Sequence, residues 1–240
     1  MKKLIGIFGL FILLDSCTKS DTVNLVPVND LMPLQVGKVF FYRLDSTLPN
    51  VTKDQLVRRS YNIKDSVESQ ITDNLGRKAF RIYRYLRDTM NTQPWRFANA
   101  FSVAYDTNRI ELLENNLRFV VLTNPVKEGS QWKGTQYINS SYSSPFAYYA
   151  GWNFAYQDCD QPFTVRKGTI NNTYSVLWID ETNPNIPFNP SNYQARDYCK
   201  EVYAKGVGLI YKDFLHWVYQ PSTKYQDDSY GVRLNLMDYK

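Results

Sequence analysis

Apolar and polar residues alternate with a period of two along much of this chain. Trp95, Phe97, Phe101, Val103 and Tyr105 fall on one side of an extended segment, and Arg96, Ala98, Ser102 and Asp106 on the other. Tyr61, Ile63, Val67 and Ile71 alternate with Asn62, Lys64, Glu68 and Thr72. Near the C-terminus Val232, Leu234 and Leu236 alternate with Arg233 and Asn235. This is the pattern of half-buried antiparallel strands, with one face on a core and one in water. Turn residues separate the runs. Asp73-Asn74-Leu75-Gly76, Asp106-Thr107-Asn108 and Asn115-Asn116 each predict a reversal between neighbouring strands. Strands therefore recur about every 10–15 residues from Val39 to Trp132, a meander with short links.

The second half is less regular. Ser140 to Tyr149 is rich in Ser and Tyr, and Asn183 to Asn192 holds Pro184, Pro187 and Pro190, which a central strand does not tolerate. Ser191 with Gln194 has the form of a capping box, and Ala195, Tyr198, Cys199 and Val202 follow helical spacing as far as Gly206. A helix is expected there. The competing pattern makes Glu201-Val202-Tyr203 a strand that enters a tight turn at Lys205-Gly206. Leu209 to Tyr211 and Phe214 to Tyr219 read as strand. The expected fold is mainly β: a curved antiparallel meander sheet, half-barrel or barrel-like, with at most one or two short helices.

Composition narrows the function. The chain has 240 residues with 43% hydrophobic and 21% charged, within the ordinary globular range. A net charge of +5 is too small to mark a nucleic-acid binder. One His and three Cys exclude His-rich or four-cysteine metal sites built from this chain alone, and no metal or cofactor is expected.

The N-terminus reads as an address. Lys2 and Lys3 precede an uncharged run from Leu4 to Leu14. That run is too short for a spanning helix, which needs about 20 apolar residues, and suits a secretory signal. Leu14-Asp15-Ser16-Cys17 resembles the lipobox of bacterial lipoproteins, although Asp15 stands where a small or hydroxyl residue is commoner. The resemblance implies removal of residues 1–16 and lipidation of Cys17. Two or more acyl chains anchor stably where one does not, so Cys17 would be the membrane contact. Residues 17–30 then form a tether ahead of one β-rich domain over 31–240. Removing Cys17 from the count leaves Cys159 and Cys199 as an even pair in an oxidising compartment. A bridge between them would close about 40 residues and stabilise by roughly 4 kcal/mol. Two unpaired thiols are the alternative.

A second resemblance spreads over most of the chain. Pro33-Leu34-Gln35-Val36-Gly37-Lys38-Val39-Phe40-Phe41-Tyr42, Asn116 to Pro125, Gly129-Ser130-Gln131-Trp132 and Glu201 to Lys212 are similar to segments of small envelope lipoproteins from Bacteroidetes. That resemblance implies an outer-membrane lipoprotein with a β-rich fold, and it implies no reaction. Surface-exported members carry several acidic residues after the Cys, whereas Thr18-Lys19-Ser20-Asp21 supplies one, so the side of the membrane stays open. Asp21-Thr22-Val23, Asp65-Ser66-Val67 and Asp88-Thr89-Met90 resemble the short acceptor pattern of periplasmic O-glycosylation in the same bacteria.

Few residues suggest chemistry. His216 sits in an alternating aromatic run and reads as a packed histidine, with no G-x-S-x-G motif to recruit it. Asp158/Asp160, Asp180/Glu181 and Asp227/Asp228 are the carboxylate pairs that an envelope polysaccharide hydrolase could use. Gly206-Val207-Gly208 lacks the rest of a phosphate loop and reads as a turn. The strongest lead is aromatic. Tyr137, Tyr142, Phe146, Tyr148, Tyr149, Trp152, Phe154 and Tyr156 crowd one segment without Lys or Arg. Tyr148, Tyr149 and Trp152 are candidate ligand-binding residues for a glycan, an apolar ligand or an envelope protein. The same rings could instead form a flap over the sheet's core. The first expectation is therefore a non-enzymatic binding or structural module, and the hydrolase is its alternative. Replacing Cys17 with Ala should leave the protein unprocessed or unanchored, which metabolic acyl labelling and membrane fractionation measure directly.

Overall fold

The computed structural model describes residues 26–182 and 187–240. The Leu14-Asp15-Ser16-Cys17 motif and Asp21-Thr22-Val23 lie outside them. The strands are β1 (Val39–Pro49), β2 (Leu56–Thr72), β3 (Lys78–Arg87), β4 (Arg96–Tyr105), β5 (Arg109–Glu114), β6 (Leu117–Thr123), β7 (Gln131–Trp132), β8 (Phe154–Val165), β9 (Gly168–Asp180), β10 (Gln194–Ala204), β11 (Gly208–Gln220), β12 (Lys224–Tyr225) and β13 (Tyr230–Tyr239). They form one antiparallel sheet in the order β6-β5-β4-β3-β2-β1-β13-β11-β10-β9-β8-β7, with β12 beside β11. The sheet curls into a nearly closed barrel, so the fold class read from the alternation holds. Among the described residues no helix is long and apolar enough to cross a membrane.

The predicted turns fall where their chemistry put them. Asp73 accepts the Leu75 and Arg77 N–H groups, and Gly76 adopts φ 76° between β2 and β3. Asn115 and Asn116 take φ 52° and 62°, the paired positive values of a tight hairpin, and join β5 to β6.

Two expectations are corrected. The segment from Ser191 to Val202 is not a helix. Gln194–Ala204 is strand β10, paired with both β9 and β11, so the competing strand pattern with a turn at Lys205-Gly206 is the one realised. Val202, Tyr203 and Ala204 are all buried, so the C-terminal part of this strand lacks the exposed face that a period of two would reveal. The single face assigned to Trp95 through Tyr105 is also broken. A bulge between β3 and β4 pairs Arg84 with Asn99 but Tyr85 with Phe97. An extra residue in one strand flips the side chains beyond it. Phe101 and Val103 therefore point inward, while Phe97 is 58% exposed and packs edge-on against Tyr83 and Tyr85 outside.

Packing also begins before Leu31. Val26 bridges to Val126, and Val28 and Leu31, in a 3-10 turn over Val28–Leu31, are buried. Residues 26–30, expected to be part of a tether, therefore pack against the strands. A second 3-10 turn, Ala147–Tyr149, sits in the long link between β7 and β8.

The barrel closes between β6 and the β7–β8 side. Val120 N–H donates to the Gly134 carbonyl at 2.8 Å and Trp132 Nε1 donates to the Val120 carbonyl at 2.7 Å. Tyr156 bridges the same gap, its hydroxyl donating to the Thr123 carbonyl at 2.8 Å and accepting from Thr123 N–H at 3.1 Å. Gly134 is required by contact. A Cβ there would lie 2.1 Å from the Phe154 ring, itself buried and stacked on Trp178 at 4.2 Å. Gly134→Ala should therefore cost at least about 1–3 kcal/mol, the range for overpacking a filled core, read as a lower midpoint in urea.

Candidate functional site

The inward residues of the strands do not fill the barrel completely. A cavity of about 320 Å³ lies inside, walled mainly by apolar side chains such as Ile82, Phe101, Val103, Leu112, Val121 and Leu234. Pockets that take small ligands begin near this size and carry a few polar groups among apolar ones. Here the polar groups include five charged ones: Asp65, Arg84, Glu114, Glu201 and Lys212.

Register brings these charges together. Asp65 on β2 lies directly opposite Arg84 on β3, and Glu201 on β10 directly opposite Lys212 on β11. Arg84 holds Asp65 through two bonds, Nε to Oδ1 at 2.8 Å and Nη2 to Oδ2 at 2.7 Å. Its Nη1 reaches Glu114 Oε1 at the longer distance of 3.3 Å, which Asn99 Nδ2 matches. Lys212 Nζ stands 2.9 Å from Glu201 Oε1, and the Tyr203 hydroxyl donates to Glu201 Oε2 at 2.5 Å. Burial works against the charge on Lys212, but the Glu201 carboxylate more than offsets it and holds its pKa above the ordinary value. Arg84 is held up in the same way, burial opposing its charge and Asp65 overcoming that opposition. Burial drives the Tyr42, Tyr203 and Tyr149 phenols far up, so all three remain neutral donors.

The aromatic segment between β7 and β8 is a flap. Tyr149 and Trp152 are 3% and 2% exposed. Tyr149 packs on Phe119 and Trp152 on Phe214, which ties the flap to β6 and β11. Buried rings do not make an exposed platform. Tyr149 nonetheless forms part of the cavity wall. Tyr148 lies nearer the surface, stacked on His216 at 3.9 Å with its hydroxyl 3.4 Å from that of Tyr230.

His216 is a packed histidine, as its run implies. It is buried, with Nδ1 2.5 Å from Asp197 Oδ1 on the neighbouring strand. A second, shallower space of about 440 Å³ shares Asn115, Leu117 and Tyr230 with the inner cavity and adds Phe146, Tyr148, Asp227 and Asp228. It lies over the inner cavity at the end of the barrel that carries the β5–β6 turn.

The other candidates lie apart from this cavity. Asp158 and Asp160 take φ 48° and 58° at the β8 bulges, where Asp158 pairs with Lys200 at 2.9 Å and Asp160 accepts from Asn172 at 2.7 Å. Asp180 caps the end of β9 by accepting Thr182 N–H. None of the three acidic pairs lines the inner cavity, and only Asp227/Asp228 lines the outer one. The expected Cys159–Cys199 bridge is not formed. Both thiols are free, on β8 and β10, with β9 between them. Two inter-strand spacings amount to about 9.5 Å, beyond the roughly 7 Å that a disulfide spans. Burial pushes the Cys199 thiol far up and that of Cys159 to about 12. Among the described residues no group of His, Cys, Asp and Glu is arranged to hold a metal ion.

No family model and no curated protein matches the sequence. Among solved structures the chain is similar to a protein classed as exported, with a YmcC-like fold, from Bacteroides fragilis. The TM-score is 0.41 at 9% identity, over 87% of this chain and 98% of that one. It is also similar to one classed as a lipoprotein from Parabacteroides distasonis, with TM-score 0.37 and 12% identity over 88% and 98% of the two chains.

The five charged residues of the cavity are not among the sequence candidates, although two of them leave a mark in the pattern. Asp65 interrupts the inward positions Ile63 and Val67, and Lys212 stands between Ile210 and Phe214, so a charge breaks an otherwise apolar face. The flap yields a direct test. Trp152→Ala should lower stability by about 3–5 kcal/mol, as for large aromatic truncations in other cores. Tyr142→Ala, on a side chain that is fully exposed, should stay within about 0.5 kcal/mol. Urea denaturation of both variants measures the difference.

Proposed function

We propose that this chain is a lipid-anchored protein of the bacterial envelope that holds an apolar or amphipathic ligand inside its barrel, without catalysis. Cys17 would carry the lipid and fix the protein to the outer membrane, ahead of a short tether and a single β-rich domain. The cavity of about 320 Å³ beneath the aromatic flap is the observation that carries the binding reading. Its walls are mostly apolar, and four of its five charges form two close ion pairs, Asp65 with Arg84 and Glu201 with Lys212. A hydrolase acting through paired carboxylates would need two of them free on a polar cleft. Asp65 and Glu201 are instead each bonded to a cation at both or one of their oxygens, and the pairs seen in the sequence lie elsewhere.

Tyr149 belongs to this reading as part of the ligand's wall, and Tyr148 and Trp152 as the residues that seat the flap. A glycan or a partner protein could meet the outer aromatic surface, but no nucleic acid would, because the segment offers no basic groove.

The test is to purify the lipidated protein from native membranes, extract it with organic solvent and identify co-purifying small molecules by mass spectrometry. A compound with a substantial apolar part, present near one per protein, is the expected result. Val121→Trp should fill the cavity and abolish most of that signal at a stability cost of about 1–3 kcal/mol. A clean extract, with the variant indistinguishable from the parent in binding environment-sensitive dyes, would overturn the reading.

A further inference from the structure

The charges of the inner cavity do not balance, and we infer from this the chemistry of the ligand's head: an amphiphile bearing a positively charged, hydrogen-bond-donating group, seated against Glu114. The inference rests on the binding reading above and names what that site prefers. Three carboxylates, Asp65, Glu114 and Glu201, face two cations, Arg84 and Lys212. The pairings are unequal. Asp65 has both oxygens bonded to Arg84 at 2.8 and 2.7 Å, and Glu201 has both engaged by Lys212 and Tyr203 at 2.9 and 2.5 Å. Glu114 is left with two contacts of 3.3 Å, both on the same oxygen. Beside it, the Asn99 side chain donates to Glu114 while its Oδ1 is buried without a partner. An under-bonded carboxylate and an unsatisfied carbonyl thus sit together on the wall, and both accept hydrogen bonds. Asn99 Oδ1 is a buried acceptor left unbonded, which is costly, and Glu114 beside it is only partly exposed. An ammonium group supplies donors to both and restores neutrality. One donor on the same wall also lacks a partner, Trp178 Nε1, which suits an ester, amide or hydroxyl oxygen further along the ligand.

Position agrees with charge. Glu114 precedes Asn115, which lines both the inner cavity and the shallower outer space. The head would therefore sit where the two meet, with the apolar body among Phe101, Val103 and Leu112. The outer space is lined by Asp227 and Asp228 and by no Lys or Arg. Lys53 lies on Asp227 at 2.6 Å, and His216 Nε2 stands 3.8 Å from Asp228. The approach is acidic. A carboxylate or phosphate head would meet these acids with like charge. It would also have to displace Asp65 from Arg84 or Glu201 from Lys212, each a pair fixed by strand register.

Three probes of equal chain length decide the matter: dodecylammonium, dodecanol and dodecanoate. Each is titrated below its micellar concentration at neutral pH against the whole protein carrying an environment-sensitive dye. Dodecylammonium should displace the dye at a concentration roughly tenfold or more below dodecanoate, as expected where a charge-assisted hydrogen bond forms in one complex and not the other. In Glu114→Gln the ratio between the two should collapse toward one. Dodecanoate binding as well as the amine, or a ratio that survives Glu114→Gln, would overturn the inference. Equal displacement by all three probes would also overturn it while leaving the cavity a binding site. Failure of all three to displace the dye would remove both.

Discussion

A sheet that curls until its two ends meet must satisfy both edges, and this barrel does so across a narrow seam. β7 contributes only Gln131 and Trp132, too little for a ladder against β6. The gap is closed by one backbone bond from Val120, the Trp132 indole and the two-way bond of Tyr156 with Thr123. Closure removes the unpaired edges through which sheets aggregate. It also decides where the chain goes next. After Trp132 the backbone crosses Gly134, close enough to touch Phe154, and carries Tyr149 and Trp152 over the interior. Seam and flap are thus one construction. The rings that lock the seam, Trp132, Phe154 and Trp178, are continuous with those that cover the cavity.

Closure also makes register consequential. Each strand sends alternate residues inward, so a charge at an inward position must find its partner on a neighbouring strand. Asp65 opposite Arg84 and Glu201 opposite Lys212 both meet this condition. Buried pairs of this kind contribute little net stability, because desolvation consumes most of the attraction. A shift of one residue would send the whole inward set of a strand outward and leave each charge without its partner. They therefore fix alignment more than they strengthen the fold.

The alternation and the turns made the meander from β1 to β6 readable, because those strands keep one wet face and their reversals use Asp, Asn and Gly for definite backbone reasons. Two features hid from the same method. The bulge at β3–β4 moves Phe97 outside while Phe101 stays in, and a bulge has no sequence signature when aromatics occupy both sides of it. β10 is buried at four consecutive residues, Glu201 to Ala204. With no exposed face over that stretch its apolar positions fit a helical spacing as well as an extended one, and the Ser191–Gln194 pair, which has the form of a helix cap, favours the helix that does not form. The cavity was invisible for a different reason. It exists between strands far apart in sequence, and only the charges set into apolar faces hinted at it. The flap was foreseen as one of two outcomes, since aromatic density indicates burial or binding and the choice depends on what lies beneath.

Stability alone does not call for the cavity and its charges. Replacing a buried ion pair with well-packed apolar side chains is commonly neutral or stabilising, and filling a void recovers contacts that its walls forgo. A barrel serving only as a spacer would gain by such a core. This one keeps five charged side chains around an apolar space and leaves an amide oxygen and an indole N–H there without partners. The polar atoms are also unevenly distributed. The well-bonded ones, Asp65 and Glu201, belong to the sheet's own alignment, while the poorly bonded ones, Glu114 and Asn99, stand near the rim beside Asn115. Alignment accounts for the first group and not for the second. Groups that the fold leaves under-bonded, placed at the entrance to an apolar space, are what a site needs in order to reward one head group over another, since discrimination comes from polar partners that only the right ligand satisfies.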